Sequence, residues 1–278
     1  MRTITIGRGT RALTASVWES SEALGDHVGG LILTGLTDAG KAGRRYLLGC
    51  PGGRTAQTVY RALARQAAAA HADLAHVVIV MMDDYVIPSG DGFEHCPADA
   101  HYSCRRFAFE EIAGVINRGL PAARRIRADH VWLPSPAAPQ AYEEKIHGAG
   151  GIDLFLTASG ASDGHVAFNA PGSTLDSRTR IVPLLDSTRR DNLATFPEFT
   201  CLDEVPRHGV TVGLGTICSR SRQVMLLIHG PWKIAAVAHL SACSDFDPQW
   251  PASFIFRCPA AAIHIDEACA QGLAGARR

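Results

Sequence analysis

The chain lacks an excess of charge of either sign, a long apolar run and any paired spacing of cysteines. Its 278 residues include 27 Lys and Arg against 27 Asp and Glu. No global basic field therefore favours nucleic acid or an anionic membrane, and any anion must be attracted locally. No apolar run approaches the ~20 residues of a membrane span, and the first residues show no apolar segment of the signal-peptide type. The eight cysteines are scattered, which favours reduced thiols and a cytoplasmic location.

What is present is the composition of an ordinary globular protein, with 46% hydrophobic and 19% charged residues. One local cluster, EHCPADAHYSC, brings His95, Cys96, His101 and Cys104 close together in sequence. Its spacing matches no common zinc pattern, so we interpret it as a loop with incidental thiols. We expect no metal at this cluster.

Short apolar runs alternate along the chain with helix-like segments. The predicted strands are RRYLLGC (44–50), HVVIVMM (76–82), HVWLP, IDLFLTA, GVTVGLG and QVMLLIHG. The predicted helices are TAQTVYRALARQAAAAHA (55–72), YSCRRFAFEEIAGVI, PQAYEEKIHGAG and PWKIAAVAHLSAC. This alternation predicts an α/β fold with a doubly wound, mostly parallel sheet. We expect one domain over residues 1–278, a lid at about 170–205 where polar residues and prolines concentrate, and an edge strand from the tail ASFIFRCPAAAIHIDE.

Ligands of such sheets bind at the carboxyl ends of the strands, so the residues that follow each apolar run are candidate site residues. After the first run comes LGCPGGRTAQ, in which Gly52 and Gly53 let backbone N–H groups face a ligand. Thr55 is suited to cap the next helix, whose N-terminus would attract phosphate, and Arg54 adds a guanidinium. A tight strand-to-helix turn without a ligand explains this stretch about as well.

Acidic and imidazole side chains follow two other runs. Asp83 and Asp84 come directly after HVVIVMM. A desolvated carboxylate at this place can move protons at neutral pH. The alternative for one of the two is a role in a helix cap or a turn. The stretch DGHVAFNAPG follows IDLFLTASG and puts His165 two residues after Asp163. A histidine oriented by a carboxylate is suited to proton transfer, although most histidines of this kind are structural.

The fourth cluster is LLIHGPWKIAA, after the last internal run. Pro231 and Trp232 are typical of the first residues of a helix, which places Lys233 in the opening turn. A cation there opposes the helix dipole by ~0.3–1 kcal/mol, and a bound phosphate would offset this. A surface lysine with an extended stem is the alternative interpretation.

These four clusters, in this order, resemble the glucosamine-6-phosphate deaminase family, which is related in fold to the 6-phosphogluconolactonases. The similarity runs from about residue 40 to about residue 267 and is clearest in YEEKIHGAGGIDLFL, DGHVAFNAPGS, SRTRI and TVGLGT. The resemblance implies a Rossmann-like sheet, no cofactor, a sugar-phosphate substrate and, as in many members, a homo-oligomer.

The resemblance also implies roles for individual residues. Asp83 would shuttle a proton between the first two sugar carbons, an aldose–ketose isomerisation followed by loss of ammonia. Asp163 and His165 would belong to the relay that opens the sugar ring. We expect the substrate and its phosphate to be bound by Gly52, Gly53, Arg54, Thr55, Asp84 and Lys233.

Two positions depart from the deaminase pattern. Ala170 stands where the deaminases have the glutamate that completes the relay, and Ala194 stands near the place of an arginine that grips phosphate. Arg54, Arg189 or Arg190 would restore the missing positive charge. The lactonases lack that glutamate and use the histidine to activate water, but they carry an arginine where this chain has a tyrosine after its two aspartates.

Three functions therefore stay open: a sugar-phosphate isomerase or deaminase, a lactone hydrolase, and a sugar-phosphate-binding protein without turnover. Arg178 and Arg180 of SRTRI would serve either a phosphate effector at a subunit interface, as in some deaminases, or an internal structural pair.

Overall fold

A mostly parallel sheet of eight strands runs through the middle of the molecule, in a computed structural model that describes residues 1–271 and 273. The strands are β1 (Arg2–Ile6), β2 (Leu13–Trp18), β3 (Tyr46–Cys50), β4 (Val77–Met81), β5 (Asp83–Ser89), β6 (Gly92–His95), β7 (Val131–Trp132), β8 (Leu154–Ala158), β9 (Arg180–Pro183), β10 (His208–Thr211), β11 (Val224–Ile228) and β12 (Ala261–Asp266). The helices are α1 (Ser21–Lys41), α2 (Gln57–Ala69), α3 (Cys104–Phe107), α4 (Gly114–Ile116), α5 (Pro139–Gly148), α6 (Asp186–Thr195), α7 (Leu214–Arg220), α8 (Ile234–Ala242) and α9 (Glu267–Ala270).

The large sheet has the strand order β1-β2-β12-β11-β8-β3-β4-β7, and every neighbouring pair is parallel except β1 with β2. Its central strands are apolar along their whole length because helices cover both faces, which leaves no solvent-facing side for polar residues. One core packs β3 and β4 against α1 and α2, and the other packs β8, β11 and β12 against α5, α7 and α8. The predicted doubly wound α/β fold is confirmed.

Two details of the predicted sheet were wrong. The tail strand β12 is not at an edge but lies between β11 and β2, parallel to both. The run GVTVGLG forms β10 in a second, antiparallel sheet of order β6-β5-β10-β9, which sequence reasoning did not predict. Strand β10 has only four residues and β5 begins with two aspartates, so periodicity does not assign them to one sheet or the other.

The predicted helices are present, with one irregularity and shorter ends. The segment predicted from YSCRRFAFEEIAGVI passes from α3 through a π-helical stretch at Ala108–Ala113 into α4. The lid predicted at 170–205 contains β9 and α6; its movement stays a prediction. Among the residues that the structure describes, none of the helices combines the length and the apolar character needed to cross a bilayer.

Candidate active site

The four sequence clusters leave four neighbouring strands of the large sheet. Strands β11, β8, β3 and β4 are consecutive in the strand order, and the chain that follows each of them contributes to the wall of one cavity of about 480 Å³. The predicted site residues in that wall are Gly52, Gly53, Arg54, Thr55, Asp83, His165 and Lys233. Because parallel strands present all their carboxyl ends at one edge, residues distant in sequence meet there.

Asp83 is the buried carboxyl group of this cavity. It begins β5 one residue after β4, and only 6% of its surface is exposed. Burial raises the pKa of Asp83 to about 7, and the charge of Asp84 acts in the same direction, whereas the Cys104 thiol, 3.6 Å from Oδ1, opposes them with a hydrogen bond. A carboxyl group with such a pKa accepts and returns protons near neutral pH.

Asp84 does not line the cavity, so its predicted contact with the substrate does not fit its position. Its side chain is fully buried and points to the opposite side of β5 because successive residues of a strand alternate. Its Oδ1 accepts from the backbone N–H of Tyr85 at 2.9 Å and of Cys104 at 3.0 Å, and Oδ2 lies 2.9 Å from Nδ1 of His95. Asp84 therefore fixes the loop that carries Cys104 to Asp83.

The cluster EHCPADAHYSC is that loop. Cys96 also contacts Asp84, with its Sγ 3.9 Å from Oδ1. Within residues 1–271 and 273, the groups of three side chains with metal-ligand spacing lie elsewhere. The structure thus gives the cluster a structural explanation, which its sequence spacing did not reveal.

His165 is held by Asp163 and faces the cavity. Nδ1 of His165 lies 2.6 Å from Oδ1 of Asp163, and the backbone N–H of His165 donates to the same oxygen at 3.1 Å. Burial of Asp163 opposes its charge, but the hydrogen bonds from His165 and Ser187 outweigh it and hold the pKa of Asp163 well below its usual value. A carboxylate only accepts, so Nδ1 donates to Asp163, which leaves Nε2 as the ring nitrogen that can exchange a proton.

Helix α6 completes the surroundings of Asp163, and sequence reasoning missed its contribution. Ser187 donates to Oδ2 of Asp163 at 2.6 Å and Thr188 at 3.1 Å. Asp191, one turn further on, lines the cavity and accepts from the backbone N–H of Ala161 at 3.1 Å. The sequence DSTRRD is typical of a short polar helix and does not reveal these contacts. Asp163, which both hydroxyl groups bind, is more than 20 residues away in sequence.

The trio Asp163, His165 and Asp191 offers ligand atoms within 4.8 Å of one another. Both oxygens of Asp163 are already occupied by hydrogen-bond donors, and its contact with His165, at 2.6 Å, is a hydrogen-bond distance. Asp163 and His165 are therefore arranged as a hydrogen-bonded pair, and Asp191 instead accepts from Ala161 and Ser162.

Two glycines let the loop that carries Asp163 and His165 close around this pair. A Cβ on Gly160 would lie 2.3 Å from Nδ1 of His165 and 2.7 Å from Oδ1 of Asp163. Gly164 has φ +68°, and a Cβ there would lie 2.4 Å from the Trp250 ring. Any other residue would displace the histidine or the tryptophan.

We expect Gly164→Ala to lower the free energy of unfolding by about 1–3 kcal/mol, because alanine is strained at this positive φ and its Cβ would clash with the Trp250 ring. Urea denaturation measures it. Gly172→Ala is the matched control, since its φ is +93° but no atom lies within 4 Å of the added Cβ, and it should lose only about 1 kcal/mol. Equal losses in the two variants would contradict a role for the Trp250 contact.

The cations of the cavity wall are Lys233 and Arg54 among the described residues. Lys233 ends a 3-10 turn at Pro231–Lys233, directly before α8, and its Nζ donates to the carbonyl of Ser159. Burial lowers the pKa of Lys233, while the nearby Asp191 carboxylate raises it. Arg54 is exposed at the cavity mouth.

Thr55 lies two residues before α2 and does not cap it, contrary to the expectation. The helix begins at Gln57 after Ala56, without a side-chain cap. The Thr55 carbonyl lies 2.7 Å from Nε2 of His229, which also lines the cavity. The Thr55 hydroxyl therefore does not cap α2.

The two departures from the deaminase pattern have different positions. Ala194 lines the cavity, whereas Ala170 is not among its lining residues. Arg189 is buried and bonded to Asp186 and to the carbonyls of Leu202 and Val205. It therefore fixes α6 internally and does not replace the missing charge.

Arg190 is exposed and does not line the cavity either. This leaves Arg54 as the arginine of the cavity wall. Arg180 donates to Oδ1 of Asn169 at 3.0 Å, and Arg178 lies 3.8 Å from Glu143. Arg180 is half-buried, which favours the structural alternative for it, whereas Arg178 is exposed and both alternatives stay open there.

The fold and the site together define an α/β protein with a cavity lined by acidic, imidazole and cationic side chains at the carboxyl edge of its sheet. Residues 19–264 match the family model described as glucosamine-6-phosphate isomerases/6-phosphogluconolactonase. The chain belongs to this family, as its resemblance had indicated, and is an enzyme of that family by relationship.

The chain is similar to curated members of the family over most of its length. It is 36% identical over 233 residues to the glucosamine-6-phosphate deaminase of Arthrobacter sp. (strain FB24), covering 82% of this chain and 81% of that protein. It is 37% identical over 227 residues to the glucosamine-6-phosphate deaminase of Streptomyces coelicolor, with the same coverage.

Solved structures support the fold. A monomeric glucosamine-6-phosphate deaminase superposes with a TM-score of 0.77 at 24% identity, over 92% of this chain and 98% of the other. A 6-phosphogluconolactonase from Shewanella baltica OS155 superposes with a TM-score of 0.63 at 17% identity, over 90% and 96%.

Proposed function

We propose that the protein is a sugar-phosphate isomerase or deaminase that moves a proton between the first two carbons of an aldose phosphate, with release of ammonia when the second carbon carries an amino group. The observation that carries this is the meeting of two acid–base groups in one cavity. Asp83, with a pKa of about 7, and the imidazole held by Asp163 line the same space as Lys233.

The two groups suit the two steps that such a substrate needs. In the proposed reaction, His165 takes the proton from the ring hydroxyl and returns it to the ring oxygen, so that the sugar opens to the aldehyde. Asp83 then removes the proton from the second carbon and returns one to the first. With an amino group on the second carbon, this leaves an imine there, and addition of water releases ammonia and leaves the ketone. A carboxylate is a sufficient base here because the adjacent carbonyl acidifies the proton on the second carbon. The raised pKa of Asp83 makes its carboxylate a stronger base.

The phosphate is proposed to bind at the wall formed by Gly52, Gly53, Arg54, Thr55 and Lys233. Backbone N–H groups before α2 and the Lys233 ammonium supply donors and positive charge there. In this proposal Lys233 and Arg54 bind the phosphate without the additional arginine of the related deaminases, since position 194 is alanine.

We expect Lys233→Met to raise KM for a phosphorylated sugar about 10–100-fold, because a charged hydrogen bond is worth about 1.5–3 kcal/mol. Arg54→Ala should raise it less, since Arg54 is exposed. Steady-state kinetics measure both. The control is Arg61→Ala, an exposed arginine on α2 outside the cavity wall, which should leave KM unchanged. An unchanged KM in Lys233→Met would contradict the phosphate assignment.

A substrate panel tests the function itself. The protein is incubated with hexosamine 6-phosphates, simple aldose and ketose phosphates, and 6-phosphogluconolactone, and ammonia, isomer and acid are measured respectively. Ammonia or isomer supports the proposal. Thermal stabilisation by a sugar phosphate without any product would replace it with a binding protein, because a ligand of the native state raises stability without turnover.

Lactone hydrolysis is the second candidate, favoured by one observation. Position 170 carries alanine and thus no carboxylate for the relay, and a histidine that activates water does not require one. Acid formation from the lactone, with no ammonia from any amino sugar, would select this reaction.

The assembly and location implied by the sequence stay predictions. Light scattering after size-exclusion chromatography tests the homo-oligomer, and fractionation of the source cells tests the cytoplasmic location.

A further inference from the structure

Three potential metal ligands meet at the end of α8, outside the cavity described above. His239 lies in the last turn of α8, and Cys243 is the first residue after the helix, in an extended conformation. Asp247 comes from the loop that follows. Their ligand atoms all lie within 4.8 Å of one another, and Nε2 of His239 is 3.3 Å from Oδ2 of Asp247.

The spacing of these atoms suits a small tetrahedral ion. Two ligands that are each about 2.0–2.1 Å from a tetrahedral zinc ion lie about 3.3 Å apart. One imidazole nitrogen, one thiolate and one carboxylate are all common zinc ligands. The open pocket beside them is lined by Ser244, Phe246 and Pro248 and leaves room for a water as fourth ligand.

Neighbouring groups hold two of the three side chains in place. The His239 ring stacks on Trp250, with centroids 4.3 Å apart and planes 17° from parallel. Oδ1 of Asp247 accepts from the backbone N–H of Gln249 at 2.8 Å, which leaves Oδ2 directed at His239. Orientation of ligands by surrounding hydrogen bonds and packing is typical of metal sites.

The other acidic side chain of this pocket is already paired. Asp245 binds Arg257 through both carboxylate oxygens, at 2.5 Å each. It is therefore not counted as a ligand, and its charge is balanced locally.

We propose that His239, Cys243 and Asp247 form a binding site for a divalent ion of the zinc class, which fastens the loop after α8. This loop supports the catalytic segment. Trp250 packs on Gly164, the N–H of Ala252 donates to the Gly164 carbonyl at 2.8 Å, and the N–H of Gly172 donates to the Pro248 carbonyl at 2.8 Å. The ion is structural and takes no part in proton transfer.

The test is a titration of the chelator-treated, full-length protein with Co²⁺, which substitutes for zinc and reports a thiolate ligand by a charge-transfer absorption. We expect saturation at one equivalent with that absorption. Cys243→Ser should abolish it, and His239→Gln or Asp247→Asn should weaken Co²⁺ binding by about tenfold or more. Circular dichroism establishes that each variant is folded; if Cys243→Ser is not, the other two variants decide.

Two controls separate this site from others. Cys201→Ser removes an exposed thiol elsewhere and should keep the absorption. Asp191→Asn disables the trio of Asp163, His165 and Asp191, a trio without a thiol, and should keep the absorption as well.

Zn²⁺ should raise the Tm of the parent and of Asp191→Asn, but not that of Cys243→Ser. Absence of saturable Co²⁺ binding, or an absorption that persists in Cys243→Ser, would overturn the proposal and leave a simple His239–Asp247 hydrogen bond. Neither readout depends on turnover, so the result is independent of the proposed reaction.

Discussion

Asp83→Asn is expected to reduce turnover by about 10²–10⁴ and, at the same time, to stabilise the protein at pH 8. The variant keeps the size of the side chain but cannot accept the substrate proton. It also removes a charge that the fold buries at 6% exposure. Loss of function with gain of stability distinguishes a catalytic carboxylate from a structural one.

The pH dependence of the stability follows from the pKa of Asp83. Folding raises that pKa from 3.8 to about 7, so between these values the folded protein binds more protons than the unfolded chain. The contribution of Asp83 to the free energy of unfolding therefore falls as pH rises from about 4 to about 7 and stays low above. We expect Asp83→Asn to match its parent near pH 4 and to exceed it by about 2–4 kcal/mol at pH 8.

The activity of the parent should rise with pH, whereas the contribution of Asp83 to its stability falls. Asp83 acts as a base only when ionised, so kcat/KM should rise with pH through about 7. Denaturant unfolding and initial rates, each measured at several pH values, test both statements. Turnover by Asp83→Asn at the parental rate, or the same pH dependence of stability in both proteins, would remove Asp83 from the mechanism.

Asp84→Asn is the matched control, because the neighbouring aspartate is buried as well. Its carboxylate accepts from two backbone N–H groups and contacts His95, so an amide there leaves part of these partners unpaired. We expect it to lose about 1–3 kcal/mol of stability at pH 8. The two isosteric variants should thus shift stability in opposite directions.

His165→Gln is expected to lower kcat/KM for a cyclic sugar phosphate by about 10²–10⁴, because no group then moves the ring proton. The effect should be far smaller for a four-carbon aldose phosphate, which has no free hydroxyl placed to close a ring. The ratio of variant to parent for the two substrates, measured by initial rates, isolates ring opening from enolisation.

The conservative control for this prediction is Thr188→Ser, which retains a hydroxyl for Asp163 and should keep the parental ratio. An equal loss on both substrates in His165→Gln would contradict a role confined to ring opening. It would place the imidazole instead in the enolisation step or in the integrity of the loop.

Periodicity predicted the large sheet well because its central strands are apolar along their whole length. Runs such as β4 and β11 have no polar face. Helices with clear periodicity, such as α2 before β4, mark where these strands begin and end. The convergence of Asp83, His165 and Lys233 then followed from the geometry of parallel strands. Their individual roles are proposals that rest on this placement.

The remaining features depend on contacts between distant residues. The second sheet pairs β5 with β10 across more than 100 residues, and no local pattern encodes that pairing. Ser187 and Thr188 bind Asp163 only because α6 folds back over the loop. Asp84 resembles Asp83 in sequence, and only the alternation of a strand sends the two side chains to different places.

The position of β12 has a consequence for synthesis of the chain on the ribosome. Strand β2 pairs with β12, in the register Ala15 to Ile263, and β12 in turn pairs with β11. Until the last of these strands has emerged, β2 has no parallel partner and the nascent chain exposes two unpaired strand edges. Such edges favour aggregation, so the amino-terminal hairpin must await the carboxyl-terminal strand, and protection of that interval by a chaperone would increase the yield of folded protein.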